Sequence, residues 1–187
     1  MIRKLKFLIV VLFVHIAVIG IVAASVSAGE MSVKAKIALA MKAAPLSISK
    51  HATIVDYDGT VLRKGTNGWH CMPGSGPAST HPMCNDEVWM HALDAFSKKA
   101  DFRTDKIGIS YMLAGDDLVS NSDPFDTKRD PGEVWVQEGP HLMILVPDPG
   151  MLAGIPDDPD NGGPYVMWKN TPYAHIMVPV APRQKKK

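Results

Sequence analysis

The chain has 187 residues, 46% of them hydrophobic, with 20 Lys and Arg against 19 Asp and Glu and two cysteines. Three basic residues stand in the first six positions and four in the last five, so the stretch between them carries 13 against all 19 acidic ones. A mildly acidic body repels phosphate backbones and argues against nucleic acid as a partner, and a chain of this length supplies one sizeable core rather than two.

Arg3, Lys4 and Lys6 precede an apolar run from Phe7 to Ala24 and the small-residue pattern Val26-Ser27-Ala28. This pattern predicts an export signal over 1–28, cleaved after Ala28. An uncleaved anchor is the alternative, because a run of this length also spans a bilayer. The protein is thus expected in the periplasm or outside the cell, touching the membrane only through that segment if it is retained. Residues 29–182 are expected to form a single domain and 183–187 a basic, disordered tail.

From Met31 to Ala44, apolar residues at 33, 37, 40, 41 and 44 have helical spacing, and Pro45 stops the pattern. A strand follows at Ala52 to Tyr57, and Asp58-Gly59 turns the chain back into Val61 to Arg63. Cys71 and Cys84 flank a Pro/Gly-rich loop, and in an exported chain they pair as one disulfide closing Met72 to Met83. Asn85 or Asp86 caps a second helix with Val88, Trp89, Ala92, Leu93 and Phe96 on one face, and Lys98 and Lys99 suit its C-terminal end.

Strands are predicted at Ile107 to Leu113, His141 to Val146 and Ala174 to Val180, with shorter ones at Val134 to Val136 and Tyr165 to Trp168. Long loops over 115–132 and 148–164 separate them. This order predicts an α+β domain, single and compact. It has a mostly antiparallel sheet, two main helices, long Pro/Gly-rich loops and one disulfide.

The stretch TIVDYDGTVL, Thr53 to Leu62, resembles the nucleophile motif of haloacid-dehalogenase-type phosphatases. The likeness implies Asp56 as nucleophile, Asp58 as general acid and a Mg²⁺ ion, with Asp116-Asp117 as a second acidic motif. About 50 residues separate the two motifs, too few for the further βαβ units such a sheet needs at roughly 30 residues each. The residues themselves read as a hairpin with Asp58-Gly59 at its turn.

Across most of the chain beyond the signal, the segments AAPLSISKHATIVDYDGTVLRKGTNGWHCMP, DPFDTK, GPHLMILVPD and TPYAHIMVPV resemble a recurrent group of small uncharacterised exported bacterial proteins. This likeness implies neither an activity nor a functional residue.

Four other constellations bear on chemistry. His141-Leu-Met143 and His175-Ile-Met177 form an internal echo. Each pair shares one face of its strand, and if the strands are adjacent, two imidazoles and two thioethers converge on a soft metal such as copper. The other reading makes the methionines core and the histidines backbone partners. His70, Met72, His81 and Met83 surround the cysteines, a soft-metal site only if the thiols are reduced. Asp157 to Gly163 has the oxygens of a calcium loop but neither its order nor its distal Glu, so it reads as a solvated turn. Trp69, Trp135, Trp168, Tyr165 and Tyr173 fall beside Gly/Pro loops. Trp69, Trp168 and Tyr173 are the aromatic candidates for ligand binding, the alternative being lids over a small core. The functional expectation is a non-catalytic binding or structural module with a small molecule, glycan or envelope protein as partner.

Overall fold

A computed structural model describes residues 31–77 and 79–183. The expected export signal and residues 184–187 of the tail lie outside the described residues. Among these, no helix is long and apolar enough to cross a membrane, and Met31 onward falls in one compact unit.

Ser32 caps α1 (Val33–Ala40) by accepting from the Ala35 amide at 3.3 Å. The helix unwinds after Ala40, a turn short of the expected end. Ala44 precedes Pro45, and the proline ring disfavours helical backbone at the residue before it. Ala40, Ala43 and Ala44 are buried, whereas Val33 is exposed and takes no part in the expected stripe. A short helix, α2 (Leu46–Ser49), follows Pro45 directly.

β1 (Thr53–Val55) and β2 (Val61–Arg63) make the expected hairpin. The Gly59 amide donates to the Asp56 carbonyl at 3.0 Å, and Gly59 takes the positive φ of +87° that this turn requires. At the two ends of the loop expected between the cysteines, where no strand was predicted, the chain forms β3 (His70–Met72) and β4 (Met83–Asn85). Cys71 and Cys84 sit directly opposite each other in this pair and are joined by a disulfide.

The second helix is α3 (Glu87–Ser97). Asp86 caps it, one carboxylate oxygen accepting from the Trp89 amide at 2.9 Å. Its other oxygen accepts from the Ile109 amide at 2.6 Å, which ties the start of α3 to β5 (Gly108–Met112). Gly108 lets the helix approach, since a Cβ there would lie 2.8 Å from Val88 Cγ1. The segment expected as a loop from 115 to 132 contains β6 (Leu118–Ser120), which pairs with β7 (Trp135–Gln137) as a separate antiparallel ribbon. β8 (His141–Leu145), β9 (Tyr165–Met167) and β10 (His175–Pro179) complete the main sheet.

Its strand order is β2-β1-β3-β4-β5-β8-β10-β9, antiparallel throughout the described residues except for β1 with β3. The α+β class and the mostly antiparallel sheet are as the patterning predicts. Side chains alternate between the two faces. Ile54, Cys71 and Cys84 pack on one face with the alanines around the end of α1, and Tyr111 and Trp69 lie against them. Met72, Met83, Met112, Met143, Met167 and Met177 pack on the other, with Trp89 and Ala92 of α3.

Register arranges this second face in rows. One row runs Met72, Met83, Met112, His141 from β3 to β8, and the next runs His70, Asn85, Ser110, Met143, Met177, Tyr165 from β3 to β9. The last runs Gly108, Leu145, His175, Met167.

Arg183 departs from the expected loose tail. Its guanidinium donates to both oxygens of the buried Glu138 at 3.0 to 3.2 Å and to the Pro159 carbonyl at 2.6 Å. The Tyr165 hydroxyl donates to the same carboxylate at 2.9 Å. Burial raises the Glu138 carboxyl, but the Arg183 and Tyr165 hydrogen bonds and the Arg183 charge outweigh it and hold the group below the usual range.

Candidate functional site

A cavity of about 200 Å³ lies between α3 and the methionine face. Met83, Met112, Met143 and Met167 form its floor with Leu145 and His175, while Trp89, Ala92, Leu93 and Phe96 come from the helix. Trp168 and Tyr173 close one side, and the segment from Asp116 to Asp126 closes another. The wall is therefore thioether and aromatic, with an imidazole and the carboxyls of Asp116, Asp123 and Asp126 as its charged or titratable groups.

His175 is wholly buried. Its Nδ1 lies 2.9 Å from the Tyr173 carbonyl. A carbonyl only accepts, so Nδ1 carries the proton and Nε2 presents a lone pair. That Nε2 has no hydrogen-bond partner. Burial pushes the His175 pKa down to about 4, the Tyr173 carbonyl opposes the shift and His141 adds to it, so the ring is neutral at pH 7. Trp89 and Trp168 meet the imidazole edge-on at 5.2 and 5.1 Å between ring centroids. Trp89 Nε1, also buried, likewise has no partner.

Trp168 has a φ of +55°, a left-handed backbone that a bulky side chain rarely takes. Two hydrogen bonds hold it there: its amide donates to the Asn121 carbonyl at 2.8 Å and its indole to the Ser120 carbonyl at 2.9 Å. Its ring stacks on Phe96 at 5.9 Å, and Phe96 stacks in turn on Phe125 at 5.0 Å. The Tyr173 hydroxyl donates to the Ala100 carbonyl at 2.5 Å, pinning the end of α3 to the segment that leads into β10. Such fixed aromatic groups preorganise the wall. Burial raises the Asp116 carboxyl against the pull of His141, and Asp126 is raised by partial desolvation and by the charges of Glu133 and Asp123.

Trp168 and Tyr173, expected from sequence as ligand contacts, line this cavity together. Trp69 does not join them. It lies on the opposite sheet face against Tyr111, at 5.4 Å. Trp135 donates to Glu133 at 3.0 Å, and Tyr165 is engaged by Glu138. Trp89, Phe96, Met112 and Met167 were not expected at a site, since on sequence they carry only the apolar pattern of helix and strand, and Met83 was expected only in a cluster around the cysteines.

The His-x-Met strands are adjacent, and all four side chains share one sheet face. Met143 and Met177 are directly opposite each other. The histidines flank this pair, four residues apart along the strands, which is about 13 Å. Each ring is also anchored outward, His141 Nδ1 to the Gly139 carbonyl at 2.7 Å and His175 Nδ1 to Tyr173. The single four-donor sphere expected for copper is therefore not assembled; His175 and Met143 reach the cavity, while His141 and Met177 are not on its wall. Among the described residues no group of three or more His, Cys, Asp or Glu is placed to hold a metal ion.

The acidic motifs are likewise kept apart. β1 and β5 run in the same direction but are separated by β3 and β4, so the chain ends carrying Asp56 and Asp116 lie three strand spacings, about 14 Å, from each other. Asp56 is ion-paired to Lys36 at 2.7 Å, and Asp58 is an exposed turn residue accepting from the Thr60 amide at 2.9 Å. Asp117 pairs with His81 and Ser79, each at 2.7 Å. The serine there bonds the carboxylate and not the imidazole, so the three do not form a nucleophilic triad. In the acidic loop, Asp158 and Asn161 accept from nearby turn amides and Asp157 pairs with Lys169 at 3.0 Å. No protein-family model matches this chain, and neither a curated protein nor a solved structure matches it.

Proposed function

We propose that this is an exported, non-catalytic binding module whose site is the cavity under α3. The observation that carries this reading is a largely apolar, ring-sized space lined by a buried histidine whose Nε2 has no partner. An apolar cavity of about 150 Å³ suffices for benzene, so about 200 Å³ takes a substituted six-membered ring. Buried polar atoms are rarely left without partners, and an occupant supplies one. The Cys71–Cys84 disulfide supports an oxidising compartment, as export requires.

The test is titration with ring-sized compounds, following the fluorescence of Trp89 and Trp168 on the cavity wall. Saturable binding is expected, and it should disappear in Ala92→Leu, which fills the space from the helix side. A flat titration across such a panel defeats the reading. So does Mg²⁺-dependent phosphomonoester hydrolysis that vanishes in Asp56→Asn, because that result makes the chain an enzyme.

A further inference from the structure

We propose that the occupant is a neutral ring carrying a hydroxyl, a phenol-type molecule whose O–H donates to His175 Nε2. The inference rests on the binding reading above and adds the chemistry of the ligand. His175 is fixed as an acceptor by its own backbone contact: with the Nδ1 proton committed to the Tyr173 carbonyl, the nitrogen left over offers a lone pair and no hydrogen. An ether or ketone oxygen brings a second lone pair to it and gains nothing.

The other orphan on the same wall is a donor, the Trp89 indole N–H. The two belong to rings 5.2 Å apart. A hydroxyl is the smallest group able to answer both, since it donates one hydrogen and accepts through two lone pairs. The remaining wall is thioether and aromatic, which fits the body of a phenol.

A soft metal ion is the competing occupant of a wall with four methionines. The observations favour the ring. A cavity of about 200 Å³ is far larger than a bare ion, and the second imidazole of the echo lies off the wall.

The experiment compares p-cresol, toluene and 4-methylanisole with the full-length wild-type protein at pH 7, by Trp fluorescence and by the ¹⁵N shift of His175 Nε2. The three share a ring and differ in carrying a donor, nothing polar, or an acceptor alone. Satisfying a buried orphan predicts that p-cresol binds at least about fivefold more tightly than either of the others. Its binding should move the Nε2 resonance upfield, and in His175→Leu the preference should vanish while toluene still binds.

Equal affinity for p-cresol and toluene in the wild type overturns the donor assignment and leaves the binding reading intact. No binding of any ring compound overturns both. Ag⁺ shifting His175 Nε2 and the Met143 methyl while p-cresol does not makes the site a soft-metal centre and also overturns the proposal. The wild-type comparison decides the matter even if the His175 variant fails to fold.

Discussion

The buried His175 should make the protein's stability depend on pH between its ordinary and its folded value. The ordinary histidine value is 6.5, and burial pushes this one down to about 4 in the folded chain. Between those values the unfolded chain binds a proton that the folded chain refuses, so stability rises with pH across the window. It is whole above pH 6.5 and is lost as pH falls toward 4. At 1.36 kcal/mol per unit the interval comes to about 3 kcal/mol. That is a sizeable part of the 5–15 kcal/mol typical of a domain.

Urea unfolding at intervals from pH 7.5 to 4.5 measures the effect, with His175→Leu as the reference. Carboxylates are common to both proteins and cancel in the difference, including the raised Asp116 and Asp126 on the cavity wall. The variant starts less stable at pH 7.5 through the lost Tyr173 hydrogen bond. The difference should then move by about 3 kcal/mol in the variant's favour on acidification, closing the gap and reversing it. Parallel curves would show that His175 protonates freely in the folded state, and the neutral acceptor assigned to it would be lost with them.

Arg183→Met should cost about 2 to 4 kcal/mol in urea midpoint measurements, because it strands the buried Glu138 carboxylate; a neutral result means water reaches Glu138. Stability from the Glu138 network should hold above the ordinary carboxylate range and fall only as pH drops through the depressed folded value, a loss absent from Glu138→Gln. Replacing both Cys71 and Cys84 by serine should lower stability by about 3 kcal/mol for a loop with a sequence separation of 13, and native protein should show no alkylatable thiol. Gly108→Ala should destabilise by about 1 to 3 kcal/mol by pressing on Val88, with chemical-shift changes concentrated on α3.

The parts of the fold legible in the sequence are those where several signals agree. In α3 the Asp86 cap, the spacing of Val88, Trp89, Ala92 and Phe96, and Lys98 at the end point to one helix. β5, β8 and β10 are five residues each, long enough for a largely apolar stretch to stand out between the loops. β3, β4 and β6 have three residues each, too short to show a period, and sit among Pro and Gly residues that read as loop. Their partners, not their own sequences, make them strands. Arg183 was hidden differently, in a run of basic residues that reads as solvated until Glu138 is placed beside it.

Trp168 and Tyr173 were legible because aromatic residues beside loops suggest a wall. Their separation from Trp69 was not, since which sheet face a ring covers depends on a register set by residues far along the chain. The same limit governs the His-x-Met echo. A repeat read in one chain direction, placed on two antiparallel strands so that its methionines meet, must put its histidines at opposite ends. The register that joins Met143 to Met177 is therefore what parts His141 from His175.

That parting gives two like tripeptides unlike surroundings. Both imidazoles are buried, both are anchored through Nδ1 to the carbonyl two residues back, and both leave Nε2 without a partner. His141 ends up beside Met112 and within the electrostatic reach of Asp116, off the cavity wall. His175 ends up between two indoles, on the wall of the cavity. The donor proposed for the ligand is therefore aimed at His175, the half of the echo whose ring lines the cavity.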